Sequence, residues 1–221
     1  MPSKEECAYA LGLEQGSAEW LDYKIGKVGA SKIADVTAKL RSGGYGASRA
    51  TYRGELIAER LTGVASESFK TPAMQWGTEH EAMARSAYQF RTMHLVERVG
   101  CVLHPEIEET LCSPDGLVGG DGLIEIKCPL TATHIDFVLG AKIPERYLLQ
   151  MQWQMACTHR AWCDYVSFDP RLPDDLRMWV QRVPRDDEII CMLEVEVTGF
   201  VRELEEHIEA LRKLRHRKEA A

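Results

Sequence analysis

An acid in a Ser-Pro-Asp-Gly turn, followed by an acid-x-lysine strand, is the tightest constraint this chain carries. The residues are Ser113-Pro114-Asp115-Gly116 and then Gly122-Leu123-Ile124-Glu125-Ile126-Lys127-Cys128. Asp115-Gly116 and Gly119-Gly120-Asp121-Gly122 are turn chemistry, and Leu123 to Cys128 is an apolar-rich run of strand length. Strand alternation sends Glu125 and Lys127 to one face and Ile124, Ile126 and Cys128 to the other. The Cα atoms of Glu125 and Lys127 are then roughly 6.5–7 Å apart. Asp115, in the preceding turn, can swing beside Glu125. Two hard carboxylate oxygens suit Mg²⁺, or Mn²⁺ in its place, which would polarise a phosphoryl oxygen. Lys127 would orient an attacking water or offset charge in the transition state. The spacing also fits an exposed hairpin with a surface acid and lysine, since the pattern recurs by chance in unrelated chains. An acid and a lysine on a buried strand, however, need partners, because burying unpaired charge is costly.

A chain of 221 residues with 45% hydrophobic content can bury a sizeable core, and a single domain over residues 1–221 is expected. Its parts are a helical N-terminal stretch to about residue 94, a sheet core over about 95–185 and a C-terminal helix over about 186–218. No apolar run reaches membrane-spanning length, and no signal-peptide core opens the chain, so a cytoplasmic protein without membrane partners is expected. Seven cysteines, with no CxxC pair, read as reduced thiols in the core. Cys157 and Cys163 flank His159 at a spacing that fits no standard zinc site. A net charge of −7 argues against nucleic acid only superficially, because steering depends on local charge. Lys24, Lys27, Lys32, Lys39, Arg41, Arg49 and Arg53 gather in one stretch opposed by Asp35 alone, with the flexible Ser42-Gly43-Gly44-Tyr45-Gly46 among them. That set suits phosphate tracking. The basic tail Arg212, Lys213, Arg215, Arg217 and Lys218 fits a solvated helix face equally well.

Short helices are predicted at 17–22 and at 31–40, the latter with Ser31 as cap. An amphipathic helix over Arg49–Leu61 should stop at Gly63. Thr71-Pro72 opens a long helix to about Arg91. Strands are predicted near 95–103, 110–113, 122–128, 161–168 and 177–183, and helices at 131–140, 144–158 and 186–218, with Gly199 as an interruption. This α-then-β-then-α order predicts a mixed central sheet flanked by helices, an α+β arrangement. Glu81 falls on one helical stripe with Gly77, Ala84 and Tyr88, and Gln150 shares a face with Gln154. Taken alone, these acids and amides also fit solvent-exposed positions.

Four stretches, in order, resemble the lambda exonuclease (YqaJ-like) branch of the PD-(D/E)xK nucleases. Ser113-Pro114-Asp115-Gly116-Leu117 with Glu125-Ile126-Lys127-Cys128-Pro129 looks like the catalytic signature. Trp76-Gly77-Thr78-Glu79-His80-Glu81 resembles the family's W-G-x-x-x-E helix, and Gln150-Met151-Gln152 its Q-x-Q helix. Trp20 to Lys24, with Gly26 and Ala30-Ser31, resembles the W-x-x-x-R-x-G-x-x-x-A-S segment, except that Lys24 replaces its arginine. The resemblance implies a restriction-endonuclease-like core and a Mg²⁺-dependent exonuclease. Such an enzyme digests one strand of duplex DNA from its 5′ end to mononucleotides and leaves 3′ single-strand tails for a single-strand annealing protein. It further implies a ring-shaped homotrimer encoded by a phage or prophage and working in a bacterial cytoplasm. By the same resemblance, Asp115, Glu125, the Ile126 carbonyl and Glu81 hold the metal, Lys127 acts on the water, Gln150 completes the site, and Lys24 and Ser31 hold the terminal 5′-phosphate. An endonuclease or structure-specific nuclease on this core, and an idle DNA-binding module, are the alternatives. Met74, roughly 10 Å of helix rise before Glu81, is either a strand-parting wedge or ordinary packing.

Overall fold

The computed structural model describes residues 9–10, 13–66 and 71–219. In chain order the elements are β1 (Tyr9–Ala10), α1 (Ala18–Lys24), β2 (Val28–Gly29), a 3₁₀ turn (Ala30–Lys32), α2 (Ile33–Thr37), α3 (Ala47–Thr62) and α4 (Pro72–Thr92). There follow β3 (Val96–Glu97), β4 (Cys101–Leu103), β5 (Thr110–Cys112), β6 (Gly116–Val118), β7 (Gly122–Lys127), α5 (Thr131–Val138), α6 (Glu145–Thr158), β8 (Trp162–Phe168), β9 (Met178–Pro184) and α7 (Asp187–Glu219).

Local chemistry sets the helix ends. Ser17 caps α1 by accepting from the Trp20 N–H, and Thr71 caps α4 by accepting from the Met74 N–H, with proline in the first turn. Gly63 closes α3 at φ +69°, a left-handed position that glycine adopts without penalty. Ser31 does not cap a helix as predicted. It lies inside the 3₁₀ turn, and α2 begins after it. Gly199 does not interrupt α7, which runs unbroken from Asp187 to Glu219.

The predicted mixed sheet has five strands in the order β3-β6-β7-β8-β9. β7 pairs parallel with β8 and antiparallel with β6, so β7 is a central strand. Its alternation is the one expected. Ile124 and Ile126 pack with Val166, Phe168 and the Ala84–Tyr88 side of α4, whereas Leu123 joins Tyr165 and α6 residues Met151, Trp153 and Met155 on the other face. Burying residues such as Leu123, Phe168 and Phe200, all at 0% exposure, contributes roughly 1.5–3 kcal/mol each. Gly116 is required next to the acid turn, because a Cβ there would stand 2.1 Å from the Val96 side chain. Arg160 clamps the β6–β7 hairpin by donating to the carbonyls of Val118, Gly119 and Gly122.

A second sheet, β1-β4-β5-β2, was not anticipated. The single strand expected at 95–103 is divided between the two sheets, β3 in one and β4 in the other. Strands of two or three residues are too short for alternation to mark them. Of the cysteines, Cys101, Cys112, Cys128, Cys157 and Cys163 are buried free thiols, as expected, and Cys191 is an exposed one.

The N-terminal basic stretch is not the open cationic surface its sequence suggests. Lys39 meets Glu196 at 2.6 Å, and Arg49 and Arg53 meet Glu203 at 2.7 and 3.0 Å, both acids coming from α7. Lys27 and Lys32 approach Glu109 and Asp35. Arg49 is buried against Tyr45 and Phe200, so its charge ties α3 to α7.

Candidate active site

The acid turn and the β7 strand converge through a main-chain contact. Asp115, one residue before β6, accepts the Ile126 N–H at 2.6 Å through Oδ2. The antiparallel register Gly116↔Ile124 carries the turn to that point. Glu125 is 1% exposed and fully engaged. Its Oε1 accepts from Gln150 at 2.7 Å and from the Lys127 ammonium, and its Oε2 accepts from Gln154 at 2.7 Å. Gln154, which its sequence position left open to solvent, is buried at 0% exposure. The i, i+4 spacing on α6 therefore delivers two amides to one carboxylate.

Burial raises the Asp115 carboxyl well above the usual carboxylate range. The neighbouring Glu125 and Glu81 carboxylates add to that rise, against the pull of Lys127 and the Ile126 N–H. Burial pulls the Lys127 ammonium down, but Glu125 and Asp115 more than offset it and hold the lysine charged. Glu81 is turned to Arg85, whose Nε donates to the Asp115 carbonyl at 3.1 Å. Arg85 was missed from sequence, although its i+4 spacing from Glu81 was a legible sign of a pair. Among the described residues, no three His, Cys, Asp or Glu side chains form a metal-binding group. The donors present, two carboxyl groups beside a strand carbonyl, with the Glu125 and Glu81 carboxylates near enough to raise Asp115, still fit a hard cation that keeps part of its water shell.

Asp115, Ile126, Lys127 and Glu81 line a cleft of about 540 Å³, together with Met74 and Arg146. A smaller recess of about 170 Å³ holds Trp20, Lys24, Ser31, Ser113 and Gln150, and Asp115 borders both spaces. Lys24 and Ser31 thus share one recess with Asp115. The Lys24 ammonium lies 3.6 Å from the Trp20 ring centroid, and burial lowers its pKa. Trp20 is itself held by the Gly100 carbonyl and the Ser113 hydroxyl. Met74 is 54% exposed and borders the cleft as well as the outer groove that contains Lys24 and Ser31. Arg146 and Tyr147 carry no signal in the sequence, because only the fold places them here.

The chain as a whole is similar to known proteins. Residues 19–161 match the YqaJ-like viral recombinase domain. Two structures of LHK-Exo, an alkaline exonuclease from Laribacter hongkongensis, are 48% and 47% identical to the chain, each with a TM-score of 0.85. Each match covers 91% of this chain and 99% of the other, and one of the two is a complex with dAMP. A phage-related exonuclease from Haemophilus somnus 129PT shares the fold at 16% identity and a TM-score of 0.64 over 84% of this chain and 96% of its own. No curated protein sequence matches. The fold and site define a DNA exonuclease, a phosphodiester hydrolase, which sets aside an idle binding module. The chain belongs to the YqaJ-like viral recombinase family.

Proposed function

We propose that the protein digests one strand of linear duplex DNA from its 5′ end, with Mg²⁺ or Mn²⁺, releasing 5′-mononucleotides and leaving a 3′ single-strand tail. The observation that carries this reading is the shared border at Asp115 between the Lys24–Ser31 recess and the open cleft. A terminal phosphate seated beside Lys24 and Ser31 puts the first phosphodiester against Asp115. Digestion from the end that carries this phosphate follows. The dAMP held by LHK-Exo supports a mononucleotide product.

Asp115, Glu125 and the Ile126 carbonyl would hold the ion, with Glu81 joining when it leaves Arg85. The bound ion supplies Lewis-acid polarisation of the scissile phosphoryl group. Gln150 and Gln154 fix the Glu125 carboxylate in rotamer by donating to both oxygens. Lys127, charged and anchored on Glu125, is placed to orient the attacking water and to offset charge as the phosphorus becomes five-coordinate. The exposed tail is the natural substrate of a single-strand annealing protein. In this reading the protein assembles as a ring-shaped homotrimer around the duplex and acts inside the bacterial host of a phage or prophage, and the viral-recombinase family match supports the viral origin alone. Among the described residues, no helix is long and apolar enough to cross a membrane.

Linear duplexes labelled at either end, followed in time with and without Mg²⁺, test the reading. The 5′ label is expected to appear first, as a mononucleotide, while the 3′ label persists on long strands. Release of the 3′ label first would overturn the polarity, and cutting of closed circles would overturn the requirement for an end.

The Lys24→Ala/Ser31→Ala double variant should erode the preference for a 5′-phosphate over a 5′-hydroxyl end by roughly tenfold or more, the worth of charge-assisted hydrogen bonds. Lysine lacks arginine's bidentate fork, so the Ser31 hydroxyl shares the contact. An unchanged ratio would place the end-binding pocket elsewhere.

Met74→Ala should slow duplex digestion on the order of tenfold, because unstacking a base step costs a few kcal/mol that a wedge offsets. Hydrolysis of short single strands should hold near the parent rate. Equal losses on both substrates would remove the wedge role.

A further inference from the structure

We infer that Arg146 grips an internal phosphodiester of the strand being degraded, on the side of the cleft away from the terminal-phosphate recess. The inference rests on the cleft being the hydrolytic site.

Arg146 lies in the first turn of α6 and is exposed. Its Nη2 donates to the Tyr147 hydroxyl at 2.9 Å, and its guanidinium carbon lies 4.6 Å from that ring's centroid. The Tyr147 ring is fixed in turn, 5.7 Å from Tyr165 and 5.0 Å from the Lys127 ammonium. The arginine is therefore held at the lip of the cleft rather than free to sweep through solvent. The other cation lining the cleft, Lys127, is paired with Glu125, and Arg85 behind it is paired with Glu81. Among the described residues Arg146 has no ion pair, so its charge is left for a ligand. The ligand that enters this cleft is a polyanion, and a guanidinium presents a planar fork to phosphate oxygens.

Position decides which phosphate. Arg146 lines the cleft but not the recess of Lys24 and Ser31, while Asp115 borders both. The terminal phosphate lies on one side of Asp115 and the continuing strand on the other, so Arg146 meets the continuing strand. A contact there serves every cycle of digestion, whatever group ends the strand.

The test is the salt dependence of kcat/KM for Arg146→Gln and Arg146→Lys on duplexes ending in 5′-phosphate or 5′-hydroxyl. Arg146→Gln should lower kcat/KM about tenfold at low salt. It should also flatten the log–log salt slope by about 0.7–0.9, the release of one counterion fewer. The 5′-phosphate preference should not change, and Arg146→Lys should restore the slope. A parental salt slope in Arg146→Gln would overturn the inference. So would a shift in end preference like that of the Lys24→Ala/Ser31→Ala variant, because Arg146 would then belong to the terminal pocket. Release of the 3′ label first by the parent protein would sink the polarity reading and leave the Arg146 slope to stand as support for the contact.

Discussion

Asp115→Asn is expected to cut nucleotide release by roughly 10³-fold or more while the protein melts at its parental temperature. Loss of a cation ligand forfeits several kcal/mol of transition-state stabilisation, and each 1.4 kcal/mol is tenfold in rate. Asparagine keeps an oxygen that can accept the Ile126 N–H, so the turn retains its anchor on β7. Alanine would leave that N–H without its partner and confuse a folding defect with a chemical one. Glu125→Ala should be as inactive but also less stable, by about 1–3 kcal/mol, because the buried Gln154 amide loses its acceptor. Turnover at saturating Mg²⁺, read beside thermal melts, checks both variants. Near-parental turnover by either would end the assignment of the acid pair.

Lys127→Ala should lose on the order of 10²–10³ in rate yet still bind Mg²⁺ and duplex DNA. Its ammonium is held charged by Glu125, which it contacts, and by the nearby Asp115, so it acts as a fixed positive group and not as a ligand. Removing it takes away a cation that competes with the metal, so ion affinity should hold or rise. Calorimetric titration of Mg²⁺ into the variant, with DNA binding measured in Ca²⁺, separates the roles. A collapse of metal binding as deep as that of Glu125→Ala would show that Lys127 instead sustains the ion site.

Much of the site could be read from short-range pattern. The turn at Asp115 and the two faces of β7 follow from glycine punctuation and a two-residue period, and both survive in three dimensions because β7 is a central strand packed on each side. The start of α4 at Thr71-Pro72 and the end of α3 at Gly63 are likewise local, a side-chain cap in one case and a left-handed backbone in the other. Glu81, Gln150, Lys24 and Ser31 needed more. Each sits where a bland solvent-facing reading is self-consistent, and only the ordered likeness of four segments to a nuclease family singled them out.

Tertiary structure decided what depends on residues distant in the chain. Glu203, 154 positions from Arg49, makes a buried arginine tolerable and turns Arg49 and Arg53 into a clamp between α3 and α7. Gln150 and Gln154 become the grips on Glu125 because α6 crosses the face of β7 that carries the acid. The second sheet arises from strands of two or three residues whose pairing is set by their neighbours, not by any alternation of their own. Chemistry that sits within a turn or along one strand is written in consecutive residues, because backbone geometry converts spacing into direction. Charge balance, burial of polar groups and the joining of recess to cleft are set by contacts between segments far apart in sequence, which become neighbours only when the chain has folded.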